Sequence, residues 1–283
     1  MNVSPEISVQ DKPVSAAAPA VDAADLTIFW HMGFIKTGTT AAQQMLRKNK
    51  FQMPPSVHVF RKQNDTVDLR LTAKAWRKSP TDENRRAVVQ AVQAARNTAI
   101  EAGVSKAIFS DENIVEFEPY NDRGDIFEAS AKTLPLIEEA AYPAKSVFVF
   151  YTREFDKWLT SAYNQTVKML RLTADFDEYC ANLPFEKDWN VQRERLQASV
   201  KSDVVFYDME DDIAKGPTIG AGLLRMAGVG EDVLDALIIP DRKNESLSKG
   251  ALQFMLEVNR SELSAPAVKK IRQIVMQNPE AFA

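Results

Sequence analysis

The sequence predicts an α/β protein with three layers: a central, mainly parallel sheet of about five strands flanked by helices. Three observations predict it. Five short apolar runs rich in β-branched and aromatic residues recur along the chain, and stretches of helical periodicity separate them. The runs are too short for helices and almost continuously apolar, as strands covered on both faces are. Strands that alternate with helices have to pair in parallel, and a parallel sheet needs a helical layer on each side.

The predicted strands are LTIFWHM (26–32), SVHVF (56–60), VSKAIFS (104–110), KSVFVFY (145–151) and SDVVFY (202–207). After the first, TTAAQQMLRKNK places Ala41, Ala42, Met45 and Leu46 on one helical face. ENRRAVVQAVQAARNTAIEAG reads as a long Ala/Val helix stopped by Gly103, because glycine suits the position past a helix end. REFDKWLTSAYNQTVKML carries Phe155, Trp158, Leu159, Ala162 and Tyr163, an i, i+3, i+4, i+7, i+8 stripe. Residues 61–86 hold Lys/Arg at 61, 62, 70, 74, 77, 78, 85 and 86 against acids at 65, 68, 82 and 83. That balance suits a solvated helical face or a basic wall beside an anionic ligand. After Tyr207 the pattern is mostly helical, with Gly/Pro breaks at 216–222 and 228–230. Gly220-Ala221-Gly222 follows no clear strand and does not read as a dinucleotide fingerprint.

Composition narrows the function classes. The chain has 283 residues, 45% hydrophobic and 26% charged, which is ordinary for a globular protein. Thirty-five Lys and Arg against 39 Asp and Glu give −4, which argues against a dedicated nucleic-acid binder. A single cysteine, Cys180, forms no internal disulfide. Together with His31 and His58 it is too little for a zinc site of the usual composition, so no metal is expected. Residues 1–24 are poor in aromatics, lack a basic n-region and an apolar h-region, and read as a flexible leader. Residues 25–283 are expected to form one domain. No run approaches the roughly 18 apolar residues needed to span a bilayer, and the expectation is a cytoplasmic, soluble protein.

The informative stretch is His31-Met32-Gly33-Phe34-Ile35-Lys36-Thr37-Gly38-Thr39-Thr40, between the first strand and the first helix. Two glycines five apart, followed by hydroxyl residues opening a helix, suit an anion cradle of backbone N–H groups at a helix N terminus. The nucleotide triphosphatase loop keeps this glycine spacing but has lysine directly after the second glycine. Here Thr39 stands in that place, and the lysine lies inside the loop at Lys36. No acidic residue ends KSVFVFY to help hold magnesium; it runs into Thr152 and Arg153. A lysine inside the loop then neutralises the leaving group itself, which suits a group less charged than phosphoryl, such as sulfuryl.

HMGFIKTGTTAAQQML resembles the 5′-phosphosulfate loop of the PAPS-dependent sulfotransferases, notably bacterial members acting on carbohydrates, which share a P-loop-like three-layer fold. The resemblance implies that Gly33, Lys36, Thr37, Gly38, Thr39 and Thr40 hold the 5′-phosphate and the bridging oxygen. It also implies a 3′-phosphate site at Arg153, which ends a strand, and Ser161, which follows eight residues on. Lys157, Ser161, Asn164 and Lys168 form one polar row on that helix. RKNESLSKGALQFMLEVNR (242–260) is similar to a C-terminal segment of bacterial members, and implies that Arg242, Lys243 and Asn244 close over the cofactor. The longer Gly-rich motif of the eukaryotic cytosolic enzymes is missing.

Transfer needs an acceptor hydroxyl or amine and a general base. Ligands of open α/β sheets sit beyond the carboxyl ends of the strands, where VSKAIFS presents Asp111 and Glu112. Several carbohydrate sulfotransferases use a glutamate base, so Glu112 leads, Asp111 follows, and His58 is the alternative if its strand ends at the site. A helix-capping pair is the structural reading of the two acids. His31 reads as a structural histidine. The expected ligands are PAPS as co-substrate, PAP as product and a hydroxyl-bearing acceptor, whose pocket residues 61–86 and 171–200 are expected to shape. The competing functions are a P-loop nucleotide or small-molecule kinase and a non-catalytic nucleotide or glycan binder.

Overall fold

The computed structural model describes residues 21–60, 62, 64–115, 125–240 and 247–282. Most of the expected leader, and Arg242, Lys243 and Asn244, lie outside the described residues. Ala23–Asp25 form a 3-10 turn, with the Asp22 carboxylate accepting from the Ala24 amide, so the last residues assigned to the leader are structured.

Five strands form one sheet among the described residues: β1 (Thr27–Gly33), β2 (Val57–Phe60), β3 (Lys106–Ser110), β4 (Lys145–Thr152) and β5 (Asp203–Asp208). Their order is β2-β3-β1-β4-β5, and every pairing is parallel. Twelve helices accompany them among the described residues: α1 (Thr39–Asn49), α2 (Val67–Lys78), α3 (Asp82–Glu101), α4 (Ile126–Ala141), α5 (Phe155–Leu170), α6 (Phe176–Ala181), α7 (Trp189–Ser199), α8 (Met209–Lys215), α9 (Ala221–Met226), α10 (Glu231–Asp235), α11 (Lys249–Arg260) and α12 (Ala265–Gln277). Helix α4 goes beyond the expected elements. Pro135 interrupts its periodicity, but Ile126, Phe127, Leu134 and Ile137 are fully buried and hold it to the sheet.

Side chains alternate across the strands, and the two faces feed two separate cores. From β1, Ile28, Trp30 and Met32 join Phe109, Phe148 and Phe150 in the core covered by α3, α4, α5 and α11. Phe29 joins Ile108, Val147, Val149 and Tyr151 in the core covered by α1 and α9. The sheet therefore lies between two helical layers, as expected. Ala42, Met45 and Leu46 bury the inner face of α1, whereas Ala41, expected among them, is exposed.

Strand β1 is central, and all seven of its residues are buried. The chain builds β2 and β3 on one side of β1, then crosses to β4 on the other. Such a reversal opens a crevice at the carboxyl end of the central strand. The Gly33–Thr40 loop leaves β1 at that point. Its outer flank is fixed by Asp212, 5% exposed, which accepts from the Tyr151 hydroxyl at 2.8 Å and from the amides of Gly220 and Gly222, each at 2.7 Å. The 220–222 glycines are thus an internal turn wrapped on a carboxylate, with Ile219 packed on Gly38.

Asp212→Ala would leave a buried hydroxyl and two buried amides without acceptors. Unmade buried hydrogen bonds cost about 1–3 kcal/mol each and are not additive. A loss of about 3 kcal/mol is expected in urea unfolding; a loss below about 1 kcal/mol would show that the turn does not depend on Asp212.

Candidate functional site

The loop is shaped by sterics before any chemistry enters. A Cβ at Gly33 would lie 2.6 Å from the Thr39 methyl, so only glycine fits. Gly38 caps α1 at φ 81°, and Lys36 is also left-handed, at φ 64°. A non-glycine residue there is strained by on the order of 1 kcal/mol, which the surroundings have to offset. They do so through Phe34, fully buried against Phe127, Phe150, Trp158 and Trp189 with ring centroids 4.9–6.2 Å away. Trp158 donates its indole N–H to the Ile35 carbonyl at 2.9 Å. The buried Thr37 hydroxyl donates to the Phe34 carbonyl at 2.8 Å, so it braces the loop from within.

The result is a set of backbone donors facing outward. Among the described residues, the amides of 36–40 have no protein acceptor, and α1 has no side-chain cap. The Lys36 ammonium is pushed below the usual lysine range, first by burial and then by the positive charges of Lys168 and Arg153. Lys168 and Arg153 therefore lie within electrostatic reach of the loop lysine. No ion pair joins Lys36 or Lys168 to an acid among the described residues.

Arg153 heads an open groove of about 370 Å³, lined also by Asp156, Lys157, Thr160, Ser161 and Asn164. The Arg153 Nε and the Asn164 Oδ1 are buried without hydrogen-bond partners among the described residues. Glu210 lies 3.4 Å from the guanidinium, and Lys157 is paired with Glu154 at 2.5 Å. Trp189 donates to the Arg153 carbonyl at 2.7 Å, which fixes the strand end. Arg153 and Ser161 thus share one groove, and Arg153 lies within electrostatic reach of Lys36.

On the other flank, a cavity of about 220 Å³ opens beside the start of α1. Thr40, Gln43, Gln44 and Arg47 form its helical wall, with Val59, Phe60 and Lys62 opposite and Ser110 at the strand end. None of its lining comes from 171–200; that segment backs the loop through Trp189 instead.

The two acids after β3 part company. Asp111 is fully buried and accepts from Thr66 at 2.8 Å, Arg70 at 2.7 Å and the Asn113 amide at 3.0 Å. Burial nevertheless holds its carboxyl above the usual range, against those donors and Lys62. It is a capping hub, as the structural reading of the pair supposed, and its bonds leave it no access to the cavity. Glu112 lies behind the cavity wall and bonds the side chains of Gln43 and Lys62. Burial raises its pKa, but the Lys62 charge and the two hydrogen bonds outweigh that, and it titrates below the usual glutamate range. It is ionised at neutral pH, with lone pairs to spare beyond two donors.

His58 is exposed at the second position of β2, opposite Ala107 and two residues short of the strand end. Its strand exists, but this position does not bring it to Ser110 and the cavity. His31 is fully buried, 2.7 Å from the Ser110 hydroxyl through Nδ1, and its Nε2 has no partner. Gln43, Thr66 and Trp189 were not singled out from the sequence, and Lys62 and Arg70 entered only as members of the basic stretch 61–86. Thr40, Gln43, Gln44 and Arg47 do follow i, i+3, i+4, i+7 spacing, a polar stripe that periodicity alone exposes.

No family model matches this sequence, and no curated protein matches it. Among solved structures, one described with the PezAT chromosomal toxin–antitoxin system of Streptococcus pneumoniae is similar at 12% identity. The match covers 86% of this chain and 87% of that one with a TM-score of 0.29. A superposition that loose carries no argument, and the site rests on its own geometry.

His31 makes the fold sensitive to acid. Burial lowers its pKa from 6.5 to about 4, although the Glu112 charge opposes this. The unfolded chain therefore takes up the proton first, so the contribution is full above 6.5 and is lost as pH falls toward about 4. Its size is roughly 3 kcal/mol. Urea unfolding across that window is expected to show this slope, and His31→Gln is expected to remove its upper part. An unchanged slope in the variant would assign the acid sensitivity elsewhere.

Proposed function

We propose that the chain is a sulfotransferase. It moves a sulfuryl group from PAPS to a hydroxyl or amine of an acceptor, a carbohydrate or glycolipid, and releases PAP and the sulfated product. The observation that carries this reading is a loop whose amides lack acceptors and whose Lys36 lies within electrostatic reach of Arg153 and Lys168. Two anion sites at the carboxyl edge of the sheet suit a nucleotide with phosphate at both 5′ and 3′ positions. The loop amides and Lys36 would take the 5′ end, and Arg153 with Ser161 the 3′ phosphate. The unpartnered Arg153 Nε and Asn164 Oδ1 add a buried donor and a buried acceptor on that side.

The chemistry follows from the placement of these groups. An acceptor hydroxyl in the cavity beside Thr40 and Ser110 forms the new S–O bond as the bond to the 5′-phosphate breaks. Lys36 and the amides neutralise the charge left on that phosphate, and do so more in the transition state than before it. Glu112, ionised and next to the cavity wall, is the proton acceptor. Asp111 and His58 have no part in this step.

Nucleotide preference tests the binding half. Melting temperatures are expected to rise with PAP, less with AMP and little with Mg-ATP; a ligand at 100-fold its Kd adds about 2.7 kcal/mol. Arg153→Ala and Ser161→Ala are each expected to lower PAP affinity roughly 10- to 100-fold while AMP binding is kept, as a charge-assisted pair of about 1.5–3 kcal/mol dictates. Retained PAP preference in both variants would remove the 3′ assignment. Stabilisation by Mg-ATP with magnesium-dependent ATP turnover would instead establish a kinase.

Glu112→Gln tests the base. Turnover is expected to fall about 10²–10⁴-fold with PAP affinity near wild type. Collapse of PAP binding would show that Glu112 only supports Gln43 and Lys62; near-normal turnover would show that the base lies elsewhere.

A further inference from the structure

The far end of α1 carries a surface that, Arg47 apart, the proposed site does not use. From Leu26 to Asn64 the sequence contains no aspartate or glutamate, although the protein as a whole is acidic at −4. Arg47, Lys48 and Lys50 cluster at the end of α1 within that span. None of them has an acidic partner among the described residues. Arg47 and Lys48 are exposed. Phe51 follows at 88% exposure, with the Lys50 ammonium 4.4 Å from the centre of its ring.

A second segment is locked to the same corner. Buried Asn49 donates to the Ile238 carbonyl at 2.9 Å and accepts from the Ile238 amide at 2.7 Å. That pair of bonds holds Ile238 and Ile239, each 52% exposed, against the end of α1. Of the acids near this segment, Glu231, Asp232 and Asp235 belong to α10, and Asp241, followed at once by Arg242 and Lys243, comes two positions after Ile239 in the sequence. Isolated exposed apolar residues need no explanation, but a group of large ones pinned to a rigid support marks an interaction surface.

The chemistry selects the partner. Protruding aromatic and aliphatic tips among unpaired cations suit an anionic lipid surface, where the cations attract headgroups and the tips enter the interfacial layer. A second copy suits it poorly. A two-fold contact would set Arg47, Lys48 and Lys50 against themselves. We propose that this corner docks reversibly on an anionic membrane, with Phe51, Ile238 and Ile239 inserted and the three cations over the headgroups. No helix among the described residues is long and apolar enough to cross a membrane, so docking would be peripheral at this corner. Arg47 also lines the cavity beside α1. If the sulfotransferase reading holds, an acceptor displayed on a lipid would meet the cavity from this side; docking itself does not depend on that reading.

Vesicle co-sedimentation of the full chain tests the proposal without any assay of activity. The protein is expected to sediment with mixed phosphatidylcholine–phosphatidylserine vesicles, not with phosphatidylcholine alone, and to be released by about 0.5 M salt. Each cation near such a surface is worth roughly fivefold in partition. Lys48→Glu with Lys50→Glu is therefore expected to lower binding by about 25-fold or more. Phe51→Ser with Ile239→Ser should weaken it at every salt concentration. Unchanged melting temperatures would show that the variants fold. Failure of the wild type to bind phosphatidylserine vesicles overturns the proposal, as does binding that neither pair of changes weakens. Self-association by light scattering that Phe51→Ser abolishes would assign the surface to a second copy instead.

Discussion

Both proposed anion sites depend on the burial of one side chain, Phe34. It is the first residue after β1, and its ring is enclosed by Phe127, Phe150, Trp158 and Trp189. Two members of that enclosure also use their indole N–H groups, Trp158 on the Ile35 carbonyl and Trp189 on the Arg153 carbonyl. A single aromatic cluster thereby fixes the backbone at both anion sites. The separation between the loop amides and Arg153 is set by packing in a close-packed interior, where positions deform little. A ligand with two anionic groups would meet a spacing already in place, and little binding energy would go into ordering the protein.

The opposite flank is built from charge in place of aromatic rings. Asp111, Thr66 and Arg70 form a closed set of bonds under the cavity, and Glu112 with Gln43 and Lys62 forms its wall. Buried networks of this kind hold only when their members are satisfied. They also divide labour between adjacent carboxylates. Asp111 is titrated upward by burial, whereas cationic contact keeps Glu112 ionised. Neighbouring residues of the same chemical type thus acquire different protonation behaviour from the elements that happen to cover them.

The architecture was largely legible in the sequence because apolar runs and helical periodicity are local signals. All five strands appear within a residue or two of the expected spans, with Gly33, Lys36 and Gly38 following the carboxyl end of β1 and Arg153 and Ser161 that of β4. What escaped depends on contacts distant in sequence. Nothing around Lys62 announces that it will pair with Glu112, fifty positions on. The failure of His58 is of another kind: the strand was found, but its length and register decide which residue reaches the end, and the edge strand stops two residues later. The basic stretch 61–86 turned out to be mixed. Lys62 and Arg70 face the acids after β3, while Arg85 pairs with Glu139 at the surface.

Under the proposed function, the left-handed backbone at Lys36 sets activity and durability against each other. Glycine would relax the turn and retain the outward amides, yet it would delete the ammonium that faces Arg153 and Lys168. Selection for heat tolerance alone would therefore favour discarding this lysine, because strained functional positions are where stabilising changes come most easily. In the proposed reaction, the strain at this position is what it costs to place a charge inside the loop.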